Sequence, residues 1–257
     1  MRVALDLVRT AASGSNRARP RRRRRRPDPG RGAERIAAGV ANVAAAGALV
    51  AAVPQRAVAV TSDGQVWVQG IVRVKLTERL RLWLEAQPRI GGDGLRQLLL
   101  RPAVGWQVTP NWSIWQGYGF TPGFDPYRRE NRLYQESLYD HSFGSLRMVN
   151  RTRLEERFIE GVEGVSLRAR HLLRFTHPVD AAKRWFVAVS DEAFATLNDA
   201  SGGPQSGFDQ NRAYVGLRWQ ATQALALEIG YLHQFVDRTS DDDLSNNNAY
   251  LGFDLSI

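Results

Sequence analysis

A chain of 257 residues has room for one large domain or two small ones; its lack of cysteine excludes a disulfide framework, and its formal charge of +9 points to a nucleic-acid partner. The location of that charge excludes the nucleic acid. Residues 1–59 hold 13 arginines against Asp6, Asp28 and Glu34, and removing them from the totals of 35 basic and 26 acidic residues leaves 22 and 23 in residues 60–257.

The leader is therefore read on its own. Arg21 to Arg26 lie between Pro20 and Pro27 and lead into the uncharged stretch Ile36 to Val53, after which come Pro54, Ala57 and Ala59. Basic, apolar and then A-x-A is the order of a secretory signal peptide, with cleavage expected after Ala59. A transmembrane anchor is the rival, since 18 uncharged residues approach the roughly 20 needed to cross a bilayer, but the Ala and Gly content makes the stretch weakly hydrophobic. The expected organisation is a leader over 1–59 and a β-barrel domain over 60–257. An exported chain without disulfides is held by backbone pairing and packing.

From Gln65 onward the apolar period is two. In RLRLWLEAQPR, Leu80, Leu82, Leu84 and Ala86 share one face, and Arg81, Trp83, Glu85, Gln87 and Arg89 share the other. The same alternation predicts strands at 66–76, 79–89, 96–108, 111–121, 130–140, 145–158, 165–177, 184–195, 210–220, 224–236 and 247–257. Most run to about 11 residues, twice the usual strand and near the 9 to 11 that cross a membrane at a tilt. Short connections near 77–78, 109–111, 141–145, 178–183 and 221–223 alternate with IGGDG, TPGFDPYRRE, 159–164, TLNDASGGPQSGFD and VDRTSDDDLSN, the alternation of periplasmic turns and extracellular loops.

Residues 150–158, NRTRLEERF, carry charge at every second position. Facing lipid near the midplane, Arg151, Arg153 and Arg157 would each cost about 2 to 4 kcal/mol, a sum comparable to the stability of a whole domain. They are expected to face a polar lumen. The same phase places Arg81, Glu85, Glu136, Arg147, Glu155, Arg168, Arg170, Arg174, Glu192, Arg212, Glu228 and Asp254 inside as a charge network, with Tyr134 and Tyr214 in hydrogen bonds to it. Trp106, Trp112, Trp185 and Trp219 flank short turns in the apolar phase, as a ring at the headgroup level does. The fold expected is an all-β, antiparallel up-and-down transmembrane β-barrel of about 10 to 12 strands behind a cleavable signal peptide. Two features strain it. Eleven strands are counted where single-chain bacterial barrels have an even number, so either a pairing near Val60 to Gln65 makes twelve or the first segment plugs the lumen and leaves ten. Asn150, Thr152 and Glu156 also fall in the lipid phase, beyond the bilayer or against another protein.

The blocks ENRLYQ (130–135), NRTRLEERF (150–158), FDQNRAYVGL (208–217) and GYLHQF (230–235) resemble the bacterial family called domain of unknown function 2490, over roughly residues 65–257. The resemblance implies an exported outer-membrane barrel and brings no catalytic residues. The C-terminal YLGFDLSI alternates like an outer-membrane assembly signal but ends in Ile257 where such signals usually end in Phe.

Enzyme chemistry finds little to stand on. His141, His171, His177 and His233 show no metal-ligand spacing. His233 with Asp237 and a loop serine, Ser201 or Ser206, is the one lipase-like combination. Asp241 to Asp243 read as a solvated loop, and neither cofactor nor metal is expected. The leading function is a Gram-negative outer-membrane barrel with a structural, adhesive or narrow-transport role, in contact with outer-membrane lipid and lipopolysaccharide and inserted by the barrel-assembly machinery. An outer-membrane lipid hydrolase and a soluble periplasmic barrel with an apolar ligand are the alternatives.

Overall fold

Alternation sustained over eleven residues or more suits only a wall that is polar on one side and apolar on the other, and the backbone forms strands throughout. The computed structural model describes residues 60–124, 126–238 and 242–257, so the leader lies outside the described residues. A two-residue strand β1 (Val60–Thr61) precedes β2 (Gln65–Lys75), β3 (Leu80–Gly91), β4 (Gly94–Thr109), β5 (Trp112–Phe124), β6 (Tyr127–Phe143) and β7 (Leu146–Ile159). Then come β8 (Ser166–Pro178), β9 (Trp185–Thr196), β10 (Gly207–Gln220), β11 (Leu225–Val236) and β12 (Asp243–Ser256). From β2 to β12 each strand pairs antiparallel with the next, and β12 also pairs with β2 to close the wall.

The wall has eleven strands, which corrects the expectation of an even number. An antiparallel meander with an odd count leaves its first and last strands pointing the same way, and they close in parallel, from Asn248 opposite Gln65 to Ser256 opposite Arg73. A parallel ladder is slanted but evenly spaced, so both edges are still satisfied. Pairing near Val60 does exist. It runs along β12 at Asp243 and Leu244 and extends the same edge, with the Asp63 N–H donating to Asn246 Oδ1 at 2.9 Å across the interruption. No twelfth wall strand results, and Gln65–Lys75 is wall, not plug.

The connections differ from expectation in one respect. At one end β3 and β4 are joined through 92–93 and β5 and β6 through 125–126, although both were read as long loops. Those strands keep pairing to their tips, Gly91 with Gly94 and Phe124 with Tyr127, and Gly94 takes a φ of +108° that a side chain rarely adopts. The longer connections at this end are 160–165, 197–206 and 237–242; the opposite, short-turn end carries 76–79, 110–111, 144–145, 179–184 and 221–224. Gln65 begins at the long-loop end and Ile257 finishes at the short-turn end, its N–H donating to the Arg73 carbonyl at 2.8 Å.

Burial is inside out. Among the described residues twenty buried ones are polar or charged and twelve are apolar, while Leu84, Leu100, Val104, Ile114, Leu217 and Ile229 stand exposed on the outer wall. A soluble sandwich hides its apolar faces; this wall displays them.

Candidate functional site

Strand pleat sends alternate side chains inward, and the registers set opposite charges beside one another: Glu155 faces Arg168, Arg153 faces Glu136, Glu192 faces Arg212, Glu228 faces Arg218 and Glu85 faces Arg101. Glu155, with 1 % of its side chain exposed, is held by Arg168 and Arg170, each at 2.6 Å, and lies 3.6 Å from Arg153. Arg153 also binds Glu136 at 2.6 Å, and Arg151 and Arg170 share Glu192 at 2.8 Å. Arg212 lies 3.7 Å from Glu192 and 4.6 Å from the centre of the Phe194 ring. Forked guanidinium groups let one arginine join carboxylates on two strands, which ties the wall across the bore.

Nearer the short turns, Arg174 binds Glu228 at 2.7 Å, Arg218 reaches Asp254 at 3.0 Å, and Arg147 pairs with Asp140. Nearer the long loops, Arg157 and Arg132 grip Glu130 at 2.6 and 2.7 Å. Arg81 points inward, but its Nε is buried without a hydrogen-bond partner. The two tyrosines meet the network through their rings: Arg153 lies 4.0 Å from the Tyr134 ring centre and Arg174 5.4 Å from that of Tyr214. Gly117 and Gly216 make room for them, because a Cβ at either position would overlap the ring.

Sequence reasoning did not single out Arg73, Arg101, Arg132, Arg218, Glu130 or Asp140, although they obey the same parity. Asp209, which binds Arg168 at 2.9 Å, adjoins a register shift between Phe208 and Gln210 that parity alone does not read. Among the described residues Arg89 has no carboxylate partner. It lies over Trp67, 3.6 Å from the ring centre, and donates to Gln97 at 2.8 Å.

The lumen is graded along its length. Toward the long loops Trp67, Phe194, Thr121, Ser166 and Asn248 are fully buried and fill the bore. Toward the short turns the side chains of Arg147 and Arg73 are 47 % and 33 % exposed, and a cavity of about 250 Å³ runs between them and Trp67. The interior is a cup open at one end, with a packed floor.

On the outer wall Trp106, Trp112 and Trp185 are exposed beside the short-turn end, and Trp219 stacks on Trp185 with ring centres 5.8 Å apart. The polar residues of the outer phase meet one another. Thr152 Oγ1 lies 3.0 Å from His171 Nδ1, Trp112 Nε1 donates to Ser137 at 2.9 Å, and Gln135 donates to Gln116 at 3.3 Å. Cross-strand pairing reduces the cost of polar groups on this face.

Histidines follow the same habit. His233 Nε2 lies 2.9 Å from Ser245 and His177 Nε2 3.0 Å from Ser145, each a hydroxyl on the neighbouring strand or turn. Of the two serines proposed as nucleophiles, Ser206 donates to Asp199 at 2.7 Å in its own loop, and the Ser201 carbonyl accepts from Glu163. His233 is thus matched with a different serine than the lipase-like reading required. Asp243 accepts from the Arg238 N–H at 3.1 Å, and Asp241 lies outside the described residues.

Comparison with known proteins agrees with this architecture. The NanC porin, solved in a rhombohedral crystal form, superposes with a TM-score of 0.50 at 11 % identity, over 76 % of this chain and 99 % of the porin chain, a likeness of fold. An uncharacterized protein of Methylorubrum extorquens is 35 % identical over 179 residues, which cover 67 % of this chain and 78 % of the relative. The model of the family described as protein of unknown function, DUF2490, matches residues 64–245, and the chain belongs to that family.

Proposed function

We propose that this protein is an outer-membrane β-barrel of a Gram-negative bacterium, exported behind its cleaved leader, that works as a non-enzymatic and largely occluded scaffold. The observation that carries the reading is the combination of an apolar outer wall with a bore filled at its long-loop half by buried rings and ion pairs. Eleven strands enclose an interior between the roughly eight-stranded barrels that side chains fill and the 16-stranded porins that leave a channel, and here the long-loop half is filled. Lipid and lipopolysaccharide are the surroundings such a wall fits, and the barrel-assembly machinery is the route to them.

Planar-bilayer recording tests the reading. The purified barrel is expected to give no porin-sized unitary steps, and Arg168→Ala combined with Phe194→Ala, which thins the packed floor, is expected to raise conductance. Steps of open-porin size in the unaltered protein would overturn occlusion. Narrow transport is the second reading, favoured by the open cup.

A further inference from the structure

We propose that the open half of the lumen is a binding site for a small organic anion that enters from the short-turn end. The inference rests on the occluded-barrel reading, because a packed floor is what turns a bore into a site. Eight arginines and four carboxylates line the cavity. Much of this charge is matched by neighbours behind the lining, and the cluster nearest the open end carries an excess of cations. Arg73, Arg174 and Arg218 share Glu228 and Asp254, three cations on two carboxylates. Arg73 Nε and Asp254 Oδ1 are both buried there without a hydrogen-bond partner, so the excess rests on the count of cations and on the exposed face of the Arg73 guanidinium. A partly desolvated guanidinium group with spare donors favours a planar or tetrahedral oxyanion, which it can bind in bidentate fashion.

The rest of the lining says what the anion carries. Ile71, Trp83, Leu138, Val149 and Leu172 face the same space, and they would be wasted on a bare inorganic ion. About 250 Å³ lies just below the usual range of drug-sized ligand pockets, so the fitting class is a carboxylate or phosphate monoester on a compact apolar body. The exposure of Arg147 and Arg73 marks the short-turn end as the way in.

The test is calorimetric titration of the folded barrel, in zwitterionic-lipid nanodiscs at constant ionic strength, with phenyl phosphate as the probe. One saturable site per chain is expected, with inorganic phosphate and phenol each binding at least tenfold more weakly. Arg218→Gln is expected to weaken phenyl phosphate at least tenfold. Val149→Trp fills the cup and leaves every charge in place, so it keeps the inference testable if the charge variant folds poorly, and it is expected to abolish binding. A short-chain phosphatidylglycerol serves as the lipid arm and is expected to be refused by so narrow a cup. No saturable heat, wild-type binding by Val149→Trp, or binding of the lipid alone would each sink the proposal. Conductance separates it from the occlusion reading: a leaky barrel that binds keeps the site and loses the occlusion, whereas a silent barrel that does not bind keeps only the occlusion.

Discussion

Glu155 on β7 and Arg168 on β8 are register partners, and the carboxylate takes two hydrogen bonds from that one guanidinium, from Nη2 at 2.6 Å and from Nε at 2.9 Å. Glu155→Gln would remove the one negative charge that Arg168 and Arg170 share and leave them crowded in a dry interior. Breaking a buried pair in this way costs about 3 to 5 kcal/mol. The temperature at which the folded, fast-migrating band disappears on a semi-native gel should fall clearly, and Arg153→Leu, which takes Glu136's partner at 2.6 Å, should move it the same way. Glu160→Gln, in an exposed pair with Arg129, should leave it unchanged. Equal heat resistance for all three variants would mean that the network does not hold the wall.

The ring of Tyr134 lies against Gly117 and that of Tyr214 against Gly216, so these glycines are expected to resist substitution for reasons of space. Gly117→Ala forces the ring or the wall to shift, and overpacking of this kind costs about 1 to 3 kcal/mol. Gly92→Ala, where an added methyl meets nothing within 4 Å, is the control and should be silent. Urea unfolding in detergent compares the two.

Trp106, Trp112, Trp185 and Trp219 face outward, whereas Trp67 and Trp115 are buried and Trp83 lines the cavity. Brominated lipid should quench single-tryptophan variants of the first four, at one depth near the headgroups, and spare the other three. Four scattered depths would contradict the ring, and quenching of Trp67 would contradict the inward phase.

Asp180 in the β8–β9 turn accepts from the backbone N–H of Trp185 at 2.8 Å and of Arg184 at 2.9 Å, and these bonds, Trp185 first, hold its carboxyl below the ordinary aspartate range. A depressed folded value stabilises above the unfolded pKa of about 3.9 and loses that contribution as pH falls through the folded value. Asp180→Asn should therefore lower stability at pH 7 and match the parent in strong acid. A difference that grows on acidification would reverse the assigned sign.

Cleavage after Ala59 predicts a mature protein that begins at Val60. N-terminal sequencing from the membrane fraction checks this. An intact Arg-rich segment on that protein would contradict export by a cleaved leader.

Strand positions were legible because one wall with two unlike faces imposes period two on every segment, and in NRTRLEERF the alternate charges Arg151, Arg153, Glu155 and Arg157 share the inner face. The sidedness of Arg153, Glu155 and Arg168 follows from that parity and the cost of a cation in lipid. Strand count was legible as eleven, but its consequence was not, because closure is a relation between Gln65–Lys75 and Asp243–Ser256, nearly the whole chain apart, and no local pattern reports whether two edges meet in parallel. Tertiary structure alone decided which arginine serves which carboxylate, since a guanidinium group reaches two strands and the shear of the barrel sets which two. It also decided that the bore is packed at one end and open at the other: parity assigns a side chain to the inside, but only the assembled wall brings Trp67, Phe194 and Glu155 to one level and leaves Arg73, Arg174 and Arg218 around a space.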